Sequence, residues 1–174
     1  MKSRRSRTKK TAFIGLAASL ALLLSYVEFL LPPLFVAVPG IKVGLPNVVI
    51  LFVLYFIDLK NAAFVSFTRL VLSSILFGNT VTLAYSAAGA LLSLSVMALL
   101  KRTDKLSEVG VSVAGGVCHN LGQILVAVLL LDTPQIAYYM TVLTVTGTVS
   151  GIFIGLCGAI LVKRIPKKRF FNFD

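Results

Sequence analysis

A chain of 174 residues that is 57% hydrophobic and 13% charged, with a formal net charge of +11, lies outside the composition of soluble globular domains. Its length suits one helix bundle, and no linker divides it. Those bounds exclude a multidomain soluble enzyme and make an all-α integral membrane protein the expected class.

The chain opens on the basic segment 1–11, "KSRRSRTKK" within it, and enters an apolar run from Ala12 to Leu31. That run exceeds the roughly 7–15 residues of a signal-peptide core, and no small-x-small cleavage site follows, so it reads as the first transmembrane helix. Since about 20 apolar residues cross a bilayer, further stretches at 45–59, 61–78, 81–100, 109–131 and 135–162 complete an expected six-transmembrane-helix bundle over 12–162. The second is short, and only Asp58, Lys60 and Asn61 mark its separation from the third. A tilted or partly re-entrant segment is also open there. A basic tail, 163–174, closes the chain.

With six spans, the N-terminal bases, Lys60, "KRTDK" and "KRIPKKR" all fall on one side, whereas "FGNT" and "LDTPQ" carry no base. The positive-inside rule then places both termini in the cytoplasm. Topology and lipid headgroups account for such basic flanks, so no nucleic-acid partner is expected. Cys118 and Cys157 fall inside helices and read as small packing residues.

Small residues recur at four-residue spacing on two helices: Ala17, Ala21 and Ser25 on the first, and Gly147, Gly151, Gly155 and Ala159 on the sixth. Ridges of this kind let helix backbones approach closely in lipid. The helix-6 ridge reads as packing within the bundle. The helix-1 ridge is the candidate docking face for a transmembrane partner.

The stretch "GGVCHNLGQ" interrupts the fifth span with polar groups. At 100° per residue, Gln123 lies about 40° and Asn120 about 100° around the helix from His119, so the three share one face. On the third span, Arg69 sits between Ser66 and Ser73 and costs about 2.5–3.5 kcal/mol in the membrane even on lenient scales. It therefore needs an interior position and a partner. Glu28 is the only acid well inside a span, and the fourth span adds Thr82, Ser86, Gly89 and Ser93. In the loop "PPLFVAVPGIKVGLPN", four prolines and two glycines around Lys42 make an ordered lid.

One reading makes these groups interhelical glue. The other follows from their excess of donors over a single acid: Lys42, Asn47, Arg69, His119, Asn120 and Gln123 contact an anionic or strongly polar small molecule. His119 beside Cys118 is not a metal site, since adjacent helical residues point about 100° apart.

The motifs "PGIKVGLPN", "TRLVLSSILFG", "YSAAGALLSLSVMALLK" and "VAGGVCHNLGQ", in that order, resemble the bacterial membrane family called heptaprenyl diphosphate synthase component I, also known as the Gx transporter family. That family looks like the substrate-binding S components of energy-coupling-factor importers, which carry an Ala-x-x-x-Ala first helix, matched here by Ala17 and Ala21, and a ligand pocket roofed by the 1–2 loop. The resemblance implies a multi-pass protein of the bacterial cytoplasmic (inner) membrane. Pro46 before Asn47 departs from the small residue expected there.

The two names imply different functions. A prenyl-chain synthase needs acid clusters to hold the Mg²⁺ ions that neutralise a diphosphate, and this chain has only six scattered acids. It also lacks a Gly-Lys-Ser/Thr nucleotide loop. No catalysis and no cofactor are therefore expected in the chain itself. The favoured expectation is the binding component of an importer, with a transmembrane coupling subunit and separate ATPases hydrolysing ATP. The alternative is a non-catalytic membrane subunit of heptaprenyl diphosphate synthase.

Overall fold

The computed structural model describes residues 2–31, 44–132, 138 and 140–165. These form six helices: α1 (Lys2–Leu30), α2 (Pro46–Phe56), α3 (Leu59–Leu76), α4 (Thr80–Thr103), α5 (Glu108–Leu131) and α6 (Met140–Arg164). No strand occurs among the described residues. Local chemistry sets several boundaries. Pro46 opens α2, where its missing N–H leaves nothing unsatisfied. The Asp58 carboxylate accepts from the Asn61 N–H at the start of α3, and Ser107 accepts from Gly110 at the start of α5. Asp132 ends α5 in a left-handed conformation, φ 46°.

Five helices are long and apolar enough to cross a membrane, and α2 is not among them. Its 11 residues span about 16 Å, roughly half a bilayer's hydrocarbon thickness. The expected second span, 45–59, is thus corrected: the ends of that apolar run form turns, not helix. Even so, α2 bridges the two ends of α1. The Gly44 N–H donates to Glu28 Oε1 at one end, and Lys10 Nζ lies 3.2 Å from Asp58 Oδ2 at the other. Lys10 and Glu28 are about 27 Å apart along α1, and their long side chains reach to a shorter neighbour.

The start of α1 and the end of α6 meet beside the same half of α2. Phe52 and Phe56 stack there with a centroid separation of 4.8 Å, and Phe13, Val162 and Ile165 pack around them. The early part of α1 and the end of α6 therefore lie at the same end of the bundle although one helix is short.

Three helices, α4, α5 and α6, form the tightest unit. A Cβ added at Gly151 would sit 2.6 Å from Val113 Cα, and one at Gly155 2.7 Å from Val109 Cα. The helix-6 glycines are thus packing residues within the bundle. Helix α2 is enclosed by α1, α3 and α6, and eight of its residues are buried.

The helix-1 ridge lies inward. Ala17, Ala21 and Ser25 are 6%, 0% and 7% exposed, and both alanines share a core cluster with Val49, Val53, Ala62 and Val65. This corrects the expectation of an outward docking face: small residues report close packing, and here the packed neighbours belong to the same chain. Leu16, Leu20, Leu23 and Leu30 are exposed on α1 instead.

Candidate functional site

At the end of the bundle opposite Lys10 and Asp58, the helices diverge around a cavity of about 280 Å³. Each helix contributes polar groups to it. Ser25 and Glu28 come from α1, Asn47 from α2, Arg69, Ser73 and Ser74 from α3, Ser86 from α4, His119, Asn120 and Gln123 from α5, and Ser150 from α6. Gly78 and Asn79, in the turn after α3, complete the rim.

Arg69 dominates the electrostatics. It is 9% exposed, and its Nε is buried with no hydrogen-bond partner among the described residues. A buried donor left unmade costs roughly 1–3 kcal/mol, and more when it is charged. Glu28 lies within electrostatic reach and offsets part of the arginine's charge, while its Oε1 accepts the Gly44 N–H at the entry to α2. That contact places one carboxylate at the positive end of a helix and beside a guanidinium, two favourable settings for an anion.

The polar face of α5 divides by role. Asn120 Nδ2 donates to the Leu143 carbonyl of α6 at 2.6 Å, and a Cβ at Gly147 would fall 2.8 Å from that nitrogen. Gly147 therefore makes room for an interhelical hydrogen bond. His119 and Gln123 pack against Gly89 of α4, where an added Cβ would lie 3.1 Å from His119 Cε1 and 2.9 Å from Gln123 Cγ. Asn120 thus joins two helices as well as lining the cavity, and His119 and Gln123 pack tightly on a third. Both readings of this face, glue and ligand contact, describe parts of the same side chains.

Of the expected ligand contacts, Asn47, Arg69, His119, Asn120 and Gln123 line this one cavity, and Lys42 lies outside the described residues. The rest of the expected lid, 32–43, lies outside them too. Ser25, expected to face a partner, lines the cavity, its hydroxyl donating to the Ala21 carbonyl at 2.9 Å. Ser66 is buried beside Arg69 in sequence yet is not part of the lining. Sequence reasoning missed Ser74, Asn79 and Ser150, which no periodicity marks because each lies on a different element. It also missed Phe29 and Phe77, which line the cavity and were indistinguishable from lipid-facing aromatics.

Among the described residues no three His, Cys, Asp or Glu side chains come together as metal ligands. Among the described residues Glu28 is the only carboxylate in the cavity wall. The arrangement can hold a polar group against Arg69 and surround it with hydroxyls and amides. Among the described residues it presents no paired carboxylates for acid–base or Mg²⁺-assisted chemistry.

No curated protein and no solved structure matches the chain. A family model does, over residues 17–161, which covers α1 from Ala17 to nearly the end of α6. The chain belongs to the heptaprenyl diphosphate synthase component I family.

Proposed function

We propose that this protein is a non-catalytic membrane subunit accompanying a heptaprenyl diphosphate synthase, and that its cavity binds a small, phosphate-bearing ligand at Arg69. The buried, unpartnered Arg69 Nε carries the ligand part of this reading, because a guanidinium held in that state is ready for an oxyanion. The family name supports the partner part. The scattered acids support the division of labour: Mg²⁺ and the chain-elongating chemistry belong to the partner, and this chain supplies binding and membrane attachment.

Two measurements test it. Affinity purification of the intact protein from membranes should recover a soluble prenyl-chain synthase subunit, and purified protein should bind inorganic diphosphate in a manner that requires Arg69. Absence of both would overturn the reading.

A binding component of an importer is the second reading, favoured by one observation: the polar cavity is walled by all six helices, an enclosure that substrate capture uses and attachment alone does not need. Recovery of ATPase subunits in the same purification would select it. In either case the basic end, with Lys10, Lys60, Lys101 and Lys163, faces the cytoplasm by the positive-inside rule. A single cysteine at Asn79 should then react with an impermeant thiol reagent in intact cells and one at Thr103 should not; the reverse pattern would invert the orientation.

A further inference from the structure

The geometry points to an amphipathic ligand: a phosphate-bearing head held at Arg69, and one apolar chain that leaves the cavity between α1 and α3, past Phe29 and Phe77, into lipid. This rests on the cavity being a phosphate site, as proposed above.

Size argues first. At about 280 Å³ the cavity sits just below the roughly 300–1,000 Å³ of typical ligand pockets, so it accommodates a polar head and a few carbons but not a long chain. A chain attached to that head must go elsewhere.

The wall decides where. Gly116, Gly147 and Gly151 bring α5 and α6 into backbone contact, and Gly122 lies so close to α4 that a Cβ would meet the Ala88 carbonyl oxygen at 2.7 Å. Nothing passes there without parting helices. On the opposite side, Phe29 lines the cavity and is also 49% exposed, so the wall at that point is one side chain thick. Its ring lies 5.1 Å from that of Phe77, which lines the cavity too, and Phe77 in turn packs at 5.7 Å on Tyr26, itself half exposed. Side-chain rotation alone would open this seam, a motion far faster than helix displacement.

The outer surface continues the path. Leu30, Ile75 and Leu76 are exposed on either side of the aromatic trio, so a chain emerging there has apolar side chains to lie against on its way to lipid. Glu28, the acid nearest the seam in sequence, is buried and turned to the cavity. The head would thus find most of the polar partners and the chain most of the apolar ones, which is the division an amphipathic phosphate requires.

A crosslink across the seam tests this. In full-length protein with Cys118→Ala and Cys157→Ala, Leu30→Cys and Leu76→Cys, exposed on either side of the seam and outside the cavity wall, are joined by a bifunctional thiol reagent, and binding of inorganic diphosphate and of a long-chain alkyl diphosphate is measured before and after. The expected result is that the crosslink leaves inorganic diphosphate binding within about twofold and weakens the long-chain ligand at least tenfold. Equal binding of the long-chain ligand to open and closed protein would overturn the proposal, and the aromatic trio would then be an interfacial anchor only. If inorganic diphosphate fails to bind the uncrosslinked protein, the phosphate site itself falls and the seam with it.

The source of the ligand is read in a second arm, in nanodiscs of phosphatidylcholine with or without phosphatidylglycerol. Competition by phosphatidylglycerol identifies a lipid headgroup as the natural occupant; indifference identifies a free alkyl or prenyl diphosphate. Both results uphold an amphipathic phosphate. Loss of long-chain binding in every lipid, with inorganic diphosphate still bound, would overturn it.

Discussion

The two ends of this bundle treat their polar groups in opposite ways. At the basic end, three half-buried charges are answered within the chain: Lys10 meets Asp58, Asp58 accepts from both the backbone and the side chain of Asn61, and Lys101 Nζ donates to the Leu54 carbonyl at 2.6 Å while lying 5.0 Å from the Tyr55 ring centroid. Around them Phe13, Phe52 and Phe56 fill the space. At the other end the helices part, polar side chains from six helices line a cavity, and Arg69 keeps a buried Nε without a partner among the described residues. Membrane interiors punish unsatisfied polar groups, so the first end is what stability alone produces. The second end departs from that pattern, and the proposed ligand site rests on that departure.

The contrast breaks most completely if its scaffold is removed. Gly151→Leu should disrupt the α5–α6 contact, since its Cβ alone would already sit 2.6 Å from Val113 Cα, and overpacking of this kind costs about 3 kcal/mol or more. Loss of folded protein in detergent, read by size-exclusion chromatography, is the expected outcome. Gly15→Leu supplies the control, because nothing lies within 4 Å of a Cβ there and folding should be unchanged. Equal tolerance at both sites would mean that the helices do not pack as described.

At the cavity, Arg69→Met should weaken diphosphate binding about 10–100-fold, the worth of one or two charge-assisted hydrogen bonds. Stability should change less than binding, because the substitution also removes a costly buried charge. Asn120→Leu should show the opposite balance. It deletes the hydrogen bond to the Leu143 carbonyl and leaves that acceptor with the Thr146 hydroxyl, at a cost of about 1–2 kcal/mol in stability. Should Asn120→Leu abolish binding while thermal stability stays intact, Asn120 is a ligand contact before it is glue.

How far the sequence disclosed this arrangement depended on what lipid hides. The helix count, the class and the helix-6 ridge follow from composition and spacing, which burial in lipid leaves readable. The convergence of Arg69, His119, Asn120 and Gln123 was legible because ionisable groups in a membrane must face inward. The outward face of α1 was not. Ala17 and Leu16 are equally apolar, and in a bilayer nothing in apolarity alone separates a protein-facing side from a lipid-facing one. The length of α2 was legible only in part: its apolar run read as short, but Leu45 and Ile57 are apolar and yet form turns, so the helix is shorter still.

The basic end offers smaller effects. Asp58→Ala should destabilise the protein by about 1 kcal/mol, the usual worth of an N-cap, since its carboxylate accepts the Asn61 N–H at 2.8 Å. Burial pushes the Asp58 carboxyl up, but hydrogen bonds from Asn61 and Lys10 outweigh it and hold the group below the ordinary carboxylate value. The unfolded chain, with its Asp near 3.9, therefore takes up this proton before the folded one does. Asp58's contribution is complete above about pH 4 and fades as pH falls through the lower folded value. A stability profile of wild type against Asp58→Ala should converge in that acidic range.

Lys10→Ala should have the least effect. The ion pair is 3.2 Å long, but its side chains are 34% and 44% exposed, so water screens it and its worth lies within about 0–1 kcal/mol. Salt distinguishes this contribution from the cap. Raising ionic strength to about 1 M shortens the Debye length to roughly 3 Å and should erase the difference between Lys10→Ala and wild type, while the Asp58→Ala deficit persists because a short backbone hydrogen bond does not depend on a screened charge alone. If Lys10→Ala instead matches Asp58→Ala in size and is insensitive to salt, Lys10 does more than offset one surface carboxylate. The link between α1 and the α2–α3 turn would then be part of what holds the short helix in register, and the basic end would owe its order to charge as much as to its aromatic core.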